Sequence, residues 1–214
     1  MKRFLFTCFF AFCLVFPALA ETSLLHEVEQ AYQNMKNFKA EFKQELFHRE
    51  SNTTQTRTGT LEFMPETFIF WETNAPNREL IVCNDKEVWN YLPDEELAYH
   101  YSPKVLDTSH AILNVITGQA KLEDGFETEF LSENTEKNTQ QFTLYPLEPN
   151  PQLTEITLTV NTKTKRIQKI VVLDFFGNLN TIEFTNFNAD IALKKNRFYL
   201  FLPDTVEIED HFGD

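Results

Sequence analysis

Residues 58–93 read TGTLEFMPETFIFWETNAPNRELIVCNDKEVWNYLP. Within this segment, aromatic residues alternate with polar ones in short runs, which is the pattern of strands that bury one face. Residues with turn chemistry separate the runs, namely Pro65, the segment 74–77, and Asn84 with Asp85. The segment therefore predicts consecutive antiparallel strands of one sheet.

The same two-residue period continues on both sides of this segment. Alternating runs predict strands at 38–45, 57–63, 67–73, 78–83, 87–92, 96–101, 127–131, 140–145, 155–161, 166–174, 179–187 and 204–208. This is far more sheet than a helical bundle or a doubly wound fold contains, so we expect a mainly β protein with one large, curved antiparallel sheet. Such a sheet encloses only its own side chains if it closes tightly, and a ligand cavity if it stays wide or open.

Helical spacing of apolar residues occurs in two or three places. The first predicted helix covers residues 22–37, where Leu24, Leu25, Val28, Tyr32 and Met35 recur on one face. A second helix is predicted at 108–117, and the short segment 120–125 predicts another helical turn. These helices are too few to form a layer of their own, so we expect them to cover part of the sheet.

The N-terminus has the three parts of a secretory signal. Two basic residues precede an apolar run at 4–16, and the sequence ALA at 18–20 offers a small-residue cleavage site. The apolar run is well short of the roughly 20 residues that span a bilayer, so a membrane anchor is disfavoured. We therefore expect residues 1–20 to be removed on export, and residues 21–214 to form a single domain.

Composition and motifs disfavour several classes of function. The formal net charge of −13 should repel nucleic acid and anionic membranes, and we expect no stable membrane insertion. The five glycines form no phosphate-binding loop, and no Gly-x-Ser-x-Gly, Cys-x-x-Cys or His-Glu-x-x-His segment occurs. The five histidines are scattered singly, and acidic clusters such as 94–96 arise by chance in a chain with 32 acidic residues. We therefore expect no catalysis, no metal site and no cofactor.

Aromatic rings are concentrated on neighbouring predicted strands. They are Phe63, Phe68, Phe70, Trp71, Trp89, Tyr91, Tyr99 and Tyr101. Stiff rings on one region of a sheet form an apolar wall, which serves either as an ordinary core or as one side of a ligand cavity. The residues alone leave both interpretations open.

Short motifs in a fixed order relate the chain to a known family. They are NFKAEFKQ at 37–44, GTL at 59–61, Pro65 followed by FIFW at 68–71, VWNYLP at 88–93, GN at 177–178, Phe198, and PDTV at 203–206. Each motif is weak alone, but their order and spacing behind a signal segment are fairly specific. In these motifs the chain resembles LolA, the periplasmic family of outer-membrane lipoprotein carriers.

The resemblance implies both a fold and a function. The implied fold is an incomplete antiparallel β-barrel of about 11 strands, covered by two or three helices, with a hydrophobic cavity for acyl chains. The implied function is that of a monomeric periplasmic chaperone without a cofactor. It takes acylated lipoproteins from an inner-membrane ABC transporter and delivers them to an outer-membrane receptor lipoprotein. The chain departs from the family pattern at Met64, where the family often has an arginine that links the barrel to the lid. This departure bears on how the cargo is released.

The resemblance also implies where cargo would bind. Side chains expected to line the acyl-chain cavity are Phe38, Phe42, Leu61, Phe63, Ile69, Trp71, Trp89, Tyr91, Ile112 and Ile116. Side chains expected on the lid are Leu24, Leu25, Val28, Tyr32, Ile112 and Ile116. The register of the strand at 67–73 stays open, because Phe68 and Phe70 make its other face nearly as apolar.

Two other functions remain open at the level of the sequence. A protein of related fold could act as a lipid-binding sensor or carry other acylated molecules. A secreted hydrolase would need an acidic pair as its catalytic groups. The receptor of the same fold is disfavoured, because it should carry a lipid-attachment cysteine at the mature N-terminus, where this chain has Glu21.

Overall fold

The computed structural model of the chain describes residues 18–65, 67–106, 111–118 and 120–213. Its helices are α1 (Ala18–Gln33), α2 (Ala111–Ile116) and α3 (Leu122–Gly125). Its strands are β1 (Phe38–His48), β2 (Thr53–Met64), β3 (Phe68–Ala75), β4 (Glu79–Cys83), β5 (Val88–Leu92), β6 (Leu97–Tyr101), β7 (Phe126–Asn134), β8 (Thr139–Pro146), β9 (Glu155–Asn161), β10 (Arg166–Leu173), β11 (Leu179–Ala189) and β12 (Glu207–His211). Short 3-10 turns occur at Pro93–Glu95 and Lys195–Phe198. None of the helices in the described ranges has the length and apolar character that a membrane crossing requires.

All twelve strands hydrogen-bond into one sheet, in the order β12-β6-β5-β4-β3-β2-β1-β11-β10-β9-β8-β7. Strands β1 to β6 and β7 to β11 form two meanders, because strands joined by short connections pair with their neighbours in sequence. The two meanders are joined by β1, which pairs with β2 on one side and with β11 on the other. The sheet ends at β12 and β7 and does not close into a barrel.

This architecture confirms the predicted mainly β fold with an unclosed sheet and few helices. The strand nearest the C-terminus differs from its prediction in position and direction. Strand β12 begins at Glu207, three residues after the predicted start at 204, and it pairs parallel with β6. Parallel pairing is open to β12 because a long connection, not a hairpin, returns the chain to the sheet edge.

The helices lie close to their predicted positions. Helix α1 starts four residues earlier than predicted, so its first three residues fall within the expected signal segment. Helix α2 occupies part of the predicted segment 108–117, of which residues 108–110 lie outside the described residues. Gly118 follows α2 with a φ of +69°, which is the left-handed conformation that commonly ends a helix.

Each face of the sheet carries its own hydrophobic cluster. We call the face covered by α1 the inner face, where a large cluster joins both meanders to helix side chains such as Val28 and Ile116. The opposite, outer face has a smaller cluster on β3 to β5, which is covered by Phe198 of the segment between β11 and β12. Because β3 is buried on both faces, its start lacks the usual alternation of apolar and polar residues.

Candidate functional site

Most of the predicted cavity residues come together on the inner face. The structure places seven of them in the inner-face cluster: Phe38, Phe42, Leu61, Phe63, Ile69, Trp71 and Ile116. Trp89 and Tyr91 lie with the outer-face cluster instead. The side chain of Ile112 is outside the described part of the chain. Contact between any of these residues and a cargo stays a prediction.

Strand register explains how the residues of three strands meet. Phe38 on β1 lies opposite Phe63 on β2, and Phe63 lies opposite Ile69 on β3. Two residues away, and therefore on the same face, Leu61 lies opposite Trp71. Directly opposite residues of neighbouring strands share a face, so these side chains form one continuous apolar wall. The structure thus turns Ile69 and Trp71 inward, which the sequence left open.

Gly59 makes room for a pair of rings at the centre of this wall. It lies opposite Phe42, whose ring centroid is 4.4 Å from that of Trp71. A Cβ at position 59 would lie 2.8 Å from Cζ of Phe42 and 1.9 Å from the carbonyl oxygen of Glu72. The glycine therefore allows the Phe42 ring to approach the backbone of β2 and reach Trp71.

The predicted inward position of Trp89 and Tyr91 is wrong. In β5, Val88 pairs with Cys83 on the inner face, so the next side chain, Trp89, points to the outer face. The Trp89 ring stacks on His100 with the ring centroids 4.1 Å apart. Both faces of β5 carry apolar residues, and the larger rings alone do not fix which face is buried under the lid.

Tyr32 is the point where α1 meets the sheet and α2. The predicted α1 lid residues are all buried on the inner face: Leu24, Leu25, Val28 and Tyr32. The Tyr32 hydroxyl accepts a hydrogen bond from the N–H of Ile167 at 3.2 Å, and its ring meets Phe38 edge-on with centroids 6.0 Å apart. A Cβ at Gly118 would lie 2.2 Å from Cβ of Tyr32, so the end of α2 packs directly on this residue. Burial raises the pKa of Tyr32, which keeps the phenol protonated.

Two polar contacts add to the attachment of α1. The Leu122 N–H, at the start of α3, donates a hydrogen bond to Oε1 of Glu29 at 2.5 Å. Glu27 forms an ion pair with Lys165, in the turn between β9 and β10. Met64, at the position where the resemblance suggested a latch, packs against the outer-face cluster. The observed attachments of the lid therefore lie on α1 and not at residue 64.

A shallow apolar depression opens where the lid helices meet β7. It has a volume of about 370 Å³ and is lined by Asn114, Ala120, Lys121, Asp124, Gly125 and Phe126. Phe126 also packs against the inner-face cluster, so the depression reaches the edge of the core. Under α1 the space is filled, since Leu25 and Val28 are each 1% exposed. Helix α1 is therefore packed directly on the inner face.

A buried carboxylate on the outer face holds the segment between β11 and β12. The Glu62 side chain is 5% exposed and pairs with Lys39 at 2.8 Å and with Arg197 at 3.1 Å. Burial alone would raise the pKa of Glu62, but hydrogen bonds from both cations outweigh it, and the pKa lies below its usual range. The guanidinium of Arg197 also lies 3.6 Å from the ring centroid of Phe70. Sequence reasoning missed this site, although a lone acidic residue inside an apolar strand is a signal for a buried ion pair.

Neither a metal-binding cluster nor a reactive thiol occurs among the described residues. They contain no group of three or more His, Cys, Asp or Glu side chains that could hold a metal ion. Cys83 is buried, and burial raises the pKa of its thiol to about 12. Such a thiol is protonated at neutral pH and therefore a poor nucleophile.

The fold and the covered apolar face define a class of protein with an unclosed β-barrel and a helical lid. A sequence model of the outer membrane lipoprotein carrier protein LolA family matches residues 33–200, and the chain belongs to this family.

Relatives with this name are similar over nearly the whole chain. An outer-membrane lipoprotein carrier protein of Shewanella sp. (strain MR-7) is 23% identical over 202 residues, which cover 92% of this chain and 93% of the relative. The protein of the same name from Hahella chejuensis is 25% identical over 178 residues, covering 82% of this chain and 83% of the relative. Among solved structures, an uncharacterized conserved protein from Thermus thermophilus has a TM-score of 0.59 at 12% identity, covering 90% of this chain and 99% of that one. At that identity the structural likeness supports the fold alone.

Proposed function

We propose that this chain is a periplasmic lipoprotein carrier that binds acyl chains between its lid helices and the inner face of its sheet. It accepts lipoproteins from an inner-membrane ABC transporter and delivers them to an outer-membrane receptor lipoprotein, as a monomer and without cofactor or bond chemistry. Family membership supports lipoproteins as the cargo, because the relatives are named as outer-membrane lipoprotein carriers. The observation that carries the proposal is an amphipathic helix whose apolar face packs on an aromatic wall in an unclosed sheet.

Lid contacts and lipid contacts are of similar strength, which makes reversible binding feasible. Displacing α1 would uncover side chains such as Leu25 and Val28, at a cost of about 1.5–3 kcal/mol for each one fully buried. An enclosed acyl chain gains about 0.8 kcal/mol for each methylene, or roughly 10 kcal/mol in all. Three fully enclosed chains would exceed the practical affinity ceiling of about 20 kcal/mol. We therefore expect the chains to be enclosed incompletely, so that the closing lid helps to expel them.

Rigid rings suit a wall that must keep its shape when the lid moves. Phe38 stacks on Phe187 with centroids 4.7 Å apart and lies 5.3 Å from the ring of Phe63. Phe42 contacts Trp71 in the same wall. Aromatic side chains have only two rotatable torsions, so they lose little conformational entropy when they order against a ligand. The wall is therefore preformed for cargo.

Photocrosslinking on the two faces tests the proposed binding surface. The photoreactive residue p-benzoylphenylalanine replaces Trp71 on the inner face or, as a matched control, Trp89 on the outer face. Each variant is incubated with native inner membranes that contain the transporter and its lipoproteins, and is then irradiated. We expect a lipoprotein adduct from position 71 and none from position 89.

The other outcomes separate alternative functions. Adducts at position 89 but not at position 71 would place the cargo on the wrong face for this proposal. Adducts at position 71 that contain acylated molecules other than lipoproteins would indicate a different cargo in the same groove. Failure of the protein to release any lipoprotein from the membranes would contradict the carrier function itself.

We further infer that residues 1–20 are removed on export and that residues 21–214 act as one domain. The family match begins at residue 33, downstream of the expected cleavage site. A single sheet whose meanders share β1 supports one domain. Mass spectrometry of the periplasmic protein should find a chain that begins at Glu21, and a chain that retains Met1 would contradict the inference.

A further inference from the structure

Two phenylalanine rings project into solvent from the turn between β10 and β11. Phe175 is 73% exposed and Phe176 is 70% exposed. Their ring centroids lie 5.6 Å apart, and the ring planes meet at 84°. Neither ring contributes to the core or to the lid. Adjacent exposed rings of this size are a common mark of an interaction surface.

Hydrogen bonds hold the turn that carries these rings. The carboxylate of Asp174 accepts bonds from the Asn178 N–H at 2.8 Å and from Nδ2 of Asn178 at 2.7 Å. The Phe175 N–H donates to the carbonyl oxygen of Pro151 at 3.0 Å. Gly177 adopts a φ of +82°, a conformation that other residues rarely tolerate. These bonds fix the backbone of the turn, from which both rings project into solvent.

A cation lies beside Gly177, the residue that follows the two rings in the chain. The exposed side chain of Arg49, from the turn between β1 and β2, passes next to Gly177, where an added Cβ would lie 2.7 Å from Nη1. The Arg49 N–H donates to Oδ1 of Asn178 at 3.0 Å. The nearby acidic groups are Asp174, which already binds Asn178, and the exposed Glu50. Exposed aromatic rings and a guanidinium on the same turn region suit the boundary of a bilayer, where apolar and phosphate groups lie close together.

The same end of the sheet carries the depression at the lid. The loop between β8 and β9 begins at Leu147, which is 60% exposed and whose N–H donates to the carbonyl oxygen of Gly125 at 3.0 Å. Gly125 lines the depression. Further along this loop, Pro151 accepts the hydrogen bond from Phe175. Contact between the rings and a surface therefore brings the depression towards that surface.

We propose that residues 174–178 and Arg49 form a membrane-contact tip. In this tip, Phe175 and Phe176 enter the interface of a zwitterionic phospholipid bilayer while Arg49 meets the lipid phosphates. The role of the tip rests on the proposed carrier function, because it holds the apolar depression at the surface where acyl chains leave or join a membrane.

A bilayer fits this tip better than a shaped protein pocket does. The rings project from a convex turn and lie nearly perpendicular to each other, and a fluid interface accommodates them without a complementary shape. The net charge of −13 opposes an anionic surface, which is why the proposal specifies zwitterionic lipid. Two rings bury little apolar area, so the contact is weak and reversible.

Flotation with vesicles tests the proposal. The purified periplasmic protein is mixed with vesicles of phosphatidylcholine and phosphatidylethanolamine that contain no lipoprotein, and the floated fraction is measured. We expect the double variant Phe175→Ser with Phe176→Ser to bind roughly tenfold less than wild type, or weaker still. The matched control is Phe201→Ser, because Phe201 is 87% exposed but lies in the segment between β11 and β12. This control should bind as wild type does, and equal melting temperatures of all three proteins establish that the fold is intact.

Lipid charge gives a second readout. Phosphatidylglycerol in the vesicles should weaken binding of the wild-type protein, because the chain carries a large negative charge. The proposal is overturned if the wild type does not float, if Phe201→Ser loses as much binding as the tip variant, or if phosphatidylglycerol strengthens binding. Absence of flotation would point to a protein pocket as the partner of the rings. These vesicles contain neither cargo nor transporter, so failure here is distinguishable from failure of the carrier function, which photocrosslinking tests.

Discussion

At the scale of single residues, position 59 shows how a missing side chain shapes the inner wall. An added Cβ would meet the carbonyl oxygen of Glu72 and the ring of Phe42. We expect Gly59→Ala to lower the free energy of unfolding by roughly 1–3 kcal/mol, because strand and ring would have to separate. Urea denaturation measures this loss. The control Gly213→Ala should leave stability unchanged, since no atom beyond its two chain neighbours lies within 4 Å of its added Cβ.

Tyr32 combines packing with a hydrogen bond that the core needs. Tyr32→Phe keeps the ring but leaves the N–H of Ile167 buried without its acceptor. We expect a loss of about 1–3 kcal/mol in the free energy of unfolding. The control Tyr91→Phe removes a hydroxyl from a partly exposed side chain on the outer face and should cost less. Equal losses in the two variants would show that the buried hydrogen bond contributes nothing.

The ionisation of Tyr32 adds a pH dependence to the same prediction. Burial raises the pKa of this phenol above its ordinary 10.0, so the unfolded chain releases the proton at a lower pH than the folded one does. The contribution of Tyr32 to stability is therefore complete below pH 10 and is lost as the pH rises further. Above pH 10, the free energy of unfolding should decrease more steeply with pH for the wild type than for Tyr32→Phe, as denaturation at a series of pH values would measure. Parallel curves would contradict this assignment.

Individual side chains were predictable where one face of a strand is polar. In β9, Ile156, Leu158 and Val160 are fully buried while the residues between them are partly exposed, as simple alternation predicts. In β5 the apolar residues occupy both faces, so the sequence did not determine whether Trp89 and Tyr91 lie on the inner or the outer face, where they are partly buried. The polar anchors of α1 gave no sequence signal, because Glu29 and Leu122 meet only in the folded chain.

At the scale of elements, one side-chain hydrogen bond joins α1 to the start of α3. Oε1 of Glu29 accepts the bond from the Leu122 N–H. We expect Glu29→Ala to speed hydrogen exchange in residues 122–125 and to cost about 1–2 kcal/mol in the stability of the lid, with little change in β1 to β3. Hydrogen exchange followed by mass spectrometry resolves these segments.

A matched control distinguishes the effect of losing this hydrogen bond from the effect of losing a negative charge. Glu127→Ala removes a carboxylate from the exposed edge strand β7 without touching the start of α3. It should leave the exchange of residues 122–125 unchanged. If both variants exchange alike, the bond from Glu29 does not hold α3 in place.

Helices and strands were predictable where the apolar residues of each one recur at its characteristic spacing. The meanders follow from alternating runs and turn residues, and their order along the sheet follows from short connections. Strand β3 was harder, because the segment around Phe198 covers its outer face and removes the need for polar residues there. The parallel pairing of β12 with β6 depends on a long connection whose path the sequence does not specify.

At the scale of the whole molecule, the pairing of β1 with β11 turns two meanders into one open sheet. This pairing joins residues about 140 positions apart, such as Phe42 and Phe184, and local patterns carry no information about it. The family resemblance predicted that the barrel is unclosed. The periodicity of the strands alone could not distinguish an unclosed barrel from a closed one. The packing of α1 on the inner face is likewise a property of the assembled chain.

A lid that must open for cargo should lose its function when it is fixed to the sheet. Glu27 on α1 and Lys165 beside β10 form an ion pair, so their side chains are adjacent when the lid is closed. In the variant Glu27→Cys with Lys165→Cys, a short bis-maleimide should bridge the two positions. Cys83 should not react, because it is buried and its pKa is raised to about 12. We expect the bridged protein to unfold at a higher temperature, and its uptake of lipoprotein from transporter-bearing membranes to fall to background.

The control for this prediction is the same double variant treated with a maleimide that has one reactive group. It carries the same substitutions and similar added mass but leaves α1 free to move, so it should take up lipoprotein as the wild type does. Loss of uptake in both samples would trace the defect to modification at these positions and not to a fixed lid. Full uptake by the bridged protein would mean that acyl chains enter without displacing α1. The acyl chains would then enter through the depression beside α3 and β7, because it reaches the edge of the core at Phe126.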